Sequence, residues 1–367
     1  MTKYSWDIKK LIEKRDFFEE KFKMYGELYD LYAEMVENYS KKYQPVKEEI
    51  KKVPYLIRLR DEFYEFGKEK ISLVSNAIYV TSAYEFKFDR TVHPKMDLSD
   101  DDLVLLTRSL FEQIPNRYFL DKFDELTNKD NHLLHIRSNR TLPTNYYGLT
   151  FTDPIEHKPY GLISRYHSIQ DVISLGHEAF HAIIRELELP FYINPYQGTY
   201  GEVEGYFANM LFASLLIKMG YNKENILLFE KIDIITTIDI IRNCFILEQS
   251  FSTLNKKGQI DFESVSPILR SKGINFSLTR DTLPELVRQE NRDEINGALS
   301  YLVSLDLFDS YQNDPEQVLN NLLNLVTIHG KSPRSELPTI GVSFFEDGYQ
   351  NLDKKCKQLL KTKTTSK

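Results

Sequence analysis

Apolar residues recur at spacings of three and four over most of this chain, with charge between them. "LIEKRDFFEEKFKMYGELYDLYAEMVENY" is typical, and the helical pattern runs from about Trp6 to Phe86, punctuated by Pro45 and Pro54. "DLSDDDLVLLTRSLFEQI" predicts a further helix, with Ser99 as N-cap ahead of Asp102. Residues 131–167 break the period. They are rich in Thr, Tyr, Ile, Pro and Gly and predict short strands and turns, of which "YGLISRY" is the clearest strand. Helical spacing then returns in "DVISLGHEAFHAIIREL", where Ser168 and Asp171 resemble a capping box. It continues in residues 202–219, in the long run "NILLFEKIDIITTIDIIRNCFILEQSFSTL", and in several shorter segments beyond. The expected fold class is mainly α, with a small sheet beside the helix that starts at residue 168. The chain divides into a helical lobe over 1–130 and a second region over 131–367, with no internal repeat.

Composition narrows the classes. At 367 residues, 41% apolar and 28% charged, the chain can bury a large core. A net charge of −7 and the lack of a basic cluster argue against nucleic acid as a partner. The two cysteines, Cys244 and Cys356, form neither a disulfide framework nor a thiolate metal site, and a cytoplasmic location is the simplest expectation. The charged N-terminus has no apolar core of a signal peptide, and no stretch reaches the length of a membrane span.

The helix after "YGLISRY" carries candidate chemistry. His177 and His181 stand at i and i+4, so both imidazoles leave one helix face and can share a metal ion. Glu178 is rotated away from that pair but can reach a water held by the metal. Val172, Leu175, Ala179, Ile183 and Leu187 form the opposite, packing stripe, which turns the histidines toward a cleft. A third ligand is expected from "GTYGEVEGYFANML". Glu202 is preferred and Glu204 is the alternative; 20 residues separate His181 from Glu202, which suits a second helix packed antiparallel, as in thermolysin-like peptidases. Asn209, seven positions after Glu202, falls on the same face and could orient a ligand. His93, His132, His135, His157 and His329 have no metal spacing and read as structural, whereas His167 ends the strand before the motif and could line the cleft.

At this point the sequence resembles the oligoendopeptidase F branch of the thimet oligopeptidase family of zinc peptidases. The likeness covers roughly residues 155–350, through "KPYGLISRYHSIQDVISLGHEAFHAII", "EVEGYFANML", "IIRNCFILEQSF" and the stretch from "ALSYLVSLDLFDSYQ" to "GVSFF". The resemblance implies a helical, thermolysin-like fold around a channel, with 131–367 as the catalytic region. It implies one zinc ion held by His177, His181 and Glu202, Glu178 as general base, and short peptides as substrates. The strand "YGLISRY" is expected to pair with the substrate backbone.

The departures are specific. Phe180 stands where the family has Gly, and Ile184 where it often has His. The block that normally carries His and Tyr before a Gly matches "LPELVRQENRDEINGAL", which has neither. Arg288, Arg292, Tyr160, Tyr166, Tyr301 and His167 are the candidates to replace the missing oxyanion donor. The chain is also shorter before the motif than the family, so the channel is expected to be more open or completed by a second subunit, as in a homodimer. Three functional readings follow: a peptidase of oligopeptides, a hydrolase dedicated to one small peptide or conjugate, and a catalytically impaired peptide-binding homologue that keeps the metal site.

Overall fold

The computed structural model describes residues 4–7, 9, 54–81, 96–137, 148–152, 158–187, 200–274, 289–327, 337–342 and 348–360. Most of the helical pattern expected before Pro54 lies outside the described residues, as do His93, His157 and His329.

Helices α1 (Tyr55–Asn76) and α2 (Ile78–Thr81) precede α3 (Asp100–Phe111) and α4 (Arg117–Thr127). As expected, Ser99 caps α3 in a reciprocal box: its hydroxyl accepts from Asp102 N at 3.1 Å, and Asp102 accepts from Ser99 N. Strands β1 (Leu134–Arg137), β2 (Gly148–Thr152) and β3 (Pro159–Ser164) follow. Then come α5 (Gln170–Arg185), α6 (Val203–Lys218), α7 (Lys223–Ser252), α8 (Phe262–Ser271), α9 (Gln289–Tyr311), α10 (Pro315–Leu323) and α11 (Gly348–Leu360). The fold is mainly helical, with a small sheet beside the helix that carries H-E-x-x-H, a thermolysin-like arrangement.

The sheet order is β1-β3-β2, with β1 parallel and β2 antiparallel to β3. This corrects one expectation. All six residues of β3 are buried and both of its edges are paired, so "YGLISRY" has no free edge for a substrate. Residues 160–163 show no polar alternation, which fits a strand covered on both faces. The outer side of β1 is met by residues 4–6: Ile136 N donates to Tyr4 O and Trp6 N to His135 Nδ1, at 3.2 Å each. Among the described residues, β2 is the edge strand on the other side.

Helix α5 sits at the centre, packed by α3, α4, α6, β2 and β3. From Gln170 to Ile184 every residue is buried except His177. The expectation of one packing stripe and one face toward a cleft is therefore too simple. The apolar stripe is buried except at its end, where Leu187 is exposed, but the other sides of the helix are also covered. Phe180 faces an aromatic cluster, with ring centroids 5.0 Å from Phe119, 5.7 Å from Phe111 and 5.8 Å from Phe212. Phe180 and Ile184 are thus core residues, buried to 0% and 2% exposure.

The start of α5 is fixed differently from the capping box expected at Ser168 and Asp171. The helix begins at Gln170 with no side-chain cap, and the Ser168 hydroxyl donates to Gln170 Oε1 at 2.6 Å. Asp171 is committed elsewhere. It accepts from Tyr166 N at 2.8 Å, from His167 N at 3.0 Å and from Arg165 Nε at 2.8 Å. Arg165 also donates to Asp100 Oδ1 at 2.6 Å and to Leu98 O at 2.7 Å. This buried ion pair ties the end of β3 and the first turns of α3 and α5 together, and its satisfied donors are what make its burial tolerable. No helix among the described residues is long and apolar enough to cross a membrane.

Candidate metal centre

Helix α5 delivers His177 and His181 to one face, and α6 packs against that face. Glu202 is the N-cap residue of α6, so its carboxylate projects from the helix start. The beginning of α6 is held by α9, whose Ser304 hydroxyl donates to Val203 O at 2.7 Å. The two imidazole Nε2 atoms lie 2.9 Å apart, and Glu202 Oε2 lies 3.4 Å from the first and 3.3 Å from the second. These three groups form a cluster that can coordinate a metal ion.

The remaining ring nitrogens explain why the Nε2 atoms converge. His181 Nδ1 is 2.9 Å from Glu204 Oε1, which is buried at 4% residue exposure. His177 Nδ1 is 3.1 Å from Asn209 Oδ1, and Asn209 Nδ2 donates to Asp233 Oδ2 at 3.2 Å. An ionised carboxylate and an amide oxygen only accept, so both Nδ1 atoms carry the ring proton and both Nε2 atoms present lone pairs. Two lone pairs and a carboxylate oxygen facing one another repel unless a cation lies between them.

The residues fit zinc. Ligands ~2.0–2.1 Å from one tetrahedral zinc stand about 3.3 Å from each other. The two histidine–carboxylate separations agree with that spacing, and the histidine pair is slightly closer. Two imidazoles and a carboxylate are a donor set that suits zinc. Gly205 completes the cradle: a Cβ there would lie 2.5 Å from His177 Nε2 and 2.8 Å from His181 Nε2, so no side chain fits at this position.

Electrostatics follow the same geometry. Desolvation alone would raise the pKa of Glu202. With protons in place of a metal on the Nε2 atoms, the charges of His181 and His177 and their hydrogen bonds outweigh it and hold the carboxyl well below its ordinary range. Desolvation pushes Asp233 up to about 7 against the opposing influence of His177 and the Asn209 amide, with Glu230 and Glu202 adding to the rise. Burial, with Asp233 and Glu202 behind it, raises Tyr206 well above 10, so its phenol keeps its proton.

Glu178 lies on the side of α5 that faces β2. Its Oε2 accepts from Thr150 Oγ1 at 2.6 Å, and the same hydroxyl lies 3.0 Å from its backbone carbonyl. Gly148, two residues earlier on the same strand face, leaves room for the carboxylate; a Cβ there would lie 2.6 Å from Glu178 Oε1.

Of the residues the sequence puts forward, the structure brings together His177, His181, Glu202, Glu204 and Asn209. The two acidic residues take different places: Glu202 faces both Nε2 atoms, whereas Glu204 holds the far side of His181. His167 is exposed on the turn before α5, with a left-handed φ of 54° and its carbonyl 2.6 Å from Met96 N. Tyr166 enters the same turn through its backbone, and Tyr160 packs edge-on to Trp6 at 6.4 Å. Tyr301 packs against Tyr206, one ring removed from His177. Arg288 and the side chain of Arg292 lie outside the described residues. Sequence reasoning did not find Thr150, Gly148, Gly205, Tyr206 or Asp233. The one available signal was for Asp233, an acid inside the apolar run "IDIITTIDII".

No family model matches the chain, and no curated protein matches it. Among solved structures it superposes on a provisionally assigned peptidase from Chlamydophila abortus, with a TM-score of 0.53 and 15% identity over 83% of this chain and 55% of that one. A provisionally assigned oligoendopeptidase F from Bacillus anthracis gives a TM-score of 0.48 and 11% identity, over 83% of this chain and 56% of that one. The first superposition indicates a shared fold. The chain spans little more than half the length of either protein.

Proposed function

We propose that this chain is a zinc-dependent metallopeptidase that hydrolyses oligopeptides. The carrying observation is the convergence of His177 Nε2, His181 Nε2 and Glu202 Oε2 within 3.4 Å of one another, with both Nδ1 atoms held by acceptors. The fold shared with a protein assigned as a peptidase supports the same reading.

When bound, zinc supplies Lewis acidity and lowers the pKa of a coordinated water toward ~7. Glu178 takes the proton from the attacking water and passes it to the leaving amine. Thr150 supports this role by holding one carboxylate oxygen of Glu178, which leaves the other for the water. Glu204 and Asn209 keep the imidazoles in the tautomer that offers Nε2 lone pairs. A substrate backbone would add to β2, which carries Thr150 and is the edge strand among the described residues, rather than to β3.

The test is the Glu178→Gln variant. It should bind one zinc per chain, as measured by elemental analysis, and lose ~10²–10⁴ of the rate on a mixed peptide pool read by mass spectrometry. Chelation should abolish wild-type cleavage, and stoichiometric zinc should restore it. Full activity in the Gln variant, or in metal-free protein, would refute the mechanism. Zinc binding with no cleavage by the wild type would favour the peptide-binding reading.

A further inference from the structure

We propose that Tyr206 is the oxyanion donor of this site: its phenol hydrogen-bonds the carbonyl oxygen of the scissile peptide as that oxygen gains charge. This rests on the peptidase reading and names the group that the sequence left unassigned.

Tyr206 lies one helical turn after Glu202, with Tyr206 N donating to Glu202 O at 3.0 Å. Residues four apart share a helix face, so the phenol and the metal-facing carboxylate leave α6 on the same side. The ring is held from two directions. It meets the His177 ring edge-on at 6.3 Å and 88°, and the Tyr301 ring edge-on at 5.3 Å and 88°. Such paired perpendicular contacts fix the ring plane before substrate arrives, which is the condition for an effective oxyanion donor.

The hydroxyl itself is uncommitted. It has no hydrogen-bond partner among the described residues, and it is not one of the polar atoms sealed from solvent. It reaches the seam between α6 and α9 beside Gly297, where an added Cβ would lie 3.7 Å away. Tyr301 contrasts with it. Its hydroxyl is fully enclosed and the residue is 1% exposed, so it can brace the Tyr206 ring but cannot meet a substrate in this conformation. A neutral phenol donates without introducing a second cation beside the metal, and its benefit appears only as negative charge develops.

Tyr206→Phe tests the proposal while keeping both ring contacts. The zinc-loaded full chain is assayed on whichever hexapeptide the wild type cleaves fastest in a mixed pool. A phosphinic dipeptide with Phe and Ala side chains, a mimic of the tetrahedral state, is titrated in parallel by calorimetry. The expected result is a fall in kcat of ~10²–10³ with KM changed less than about threefold, unchanged zinc content, and phosphinic affinity weakened about 100-fold. The proposal is overturned if kcat and phosphinic affinity both stay within about threefold of wild type, or if activity falls only in proportion to lost zinc. Absence of cleavage by the wild type overturns the peptidase reading alone, and the phosphinic titration still decides the role of Tyr206.

Discussion

The two flanks of the metal centre are built on different plans. On the His181 flank the support is direct and closed: a buried carboxylate, Glu204, sits 2.9 Å from Nδ1, and both residues are under 5% exposed. On the His177 flank the support is relayed and more open. Asn209 stands between the imidazole and the carboxylate of Asp233, and the His177 side chain keeps 17% of its surface exposed. A direct carboxylate raises the basicity of its imidazole most strongly, whereas an amide chiefly fixes orientation. On the proposed reading the closed flank would anchor the metal, and the open flank, with Tyr206 beside it, would be where substrate approaches.

The largest disruption should come from the element both flanks share. Gly205→Ala places a methyl against both imidazoles, and neither ring can yield without losing its Nδ1 partner. Zinc affinity should fall by more than ~100-fold, measured by competition with a chromogenic chelator, because both ligands are displaced at once. Gly297→Ala is the matched control at 3.7 Å from Tyr206 and should leave zinc affinity unchanged. Similar affinities in the two variants would show that the cradle at Gly205 does not matter. Next in size is Glu204→Ala. It leaves a buried Nδ1 proton without an acceptor, which favours the tautomer that places a proton where the metal binds. The expected loss is near the upper end of the ~10–100-fold range for such supports, and zinc binding within twofold of wild type would contradict the anchoring role.

The same contrast shows what the sequence could reveal. The pairing of His177 and His181 was legible because i, i+4 spacing is a local rule, and a nearby third carboxylate because the chain distance to a second packed helix is limited. That spacing alone did not separate Glu202 from Glu204, which the structure places on different sides of His181. Helix α3 was legible down to its N-cap, Ser99. Thr150 left no such trace, since it meets Glu178 across 28 residues of chain. The sequence suggests a capping box at Asp171, but a buried Arg165, invisible as such in the sequence, claims the carboxylate. The central place of β3 could have been inferred from the lack of polar alternation over residues 160–163. Asp233 and Asp239 looked alike in "IDIITTIDII"; Asp239 is exposed and only Asp233 turns toward Asn209, a distinction made by the packing of α6 against α7.

Asp233 provides the smallest and most diagnostic effect on the open flank. Asp233→Asn should lower zinc affinity by about tenfold or less, because it acts through Asn209 and leaves the Nδ1 contact in place. Its clearer signature is pH dependence in the metal-free protein. The folded pKa of about 7 exceeds the ordinary value of 3.8, chiefly because burial penalises the charged carboxylate. The folded chain therefore holds a proton that the unfolded chain has already lost. The stability linked to this proton is fully present below about pH 4 and is lost as pH rises through about 7, a change of the order of 2–4 kcal/mol. Wild-type metal-free protein should melt at a lower temperature at pH 8 than at pH 5, and Asp233→Asn should flatten that difference. Parallel slopes in the two proteins would place the proton elsewhere. Zinc should also flatten the wild-type slope, because a cation on His177 favours the ionised carboxylate at the far end of the Asn209 relay.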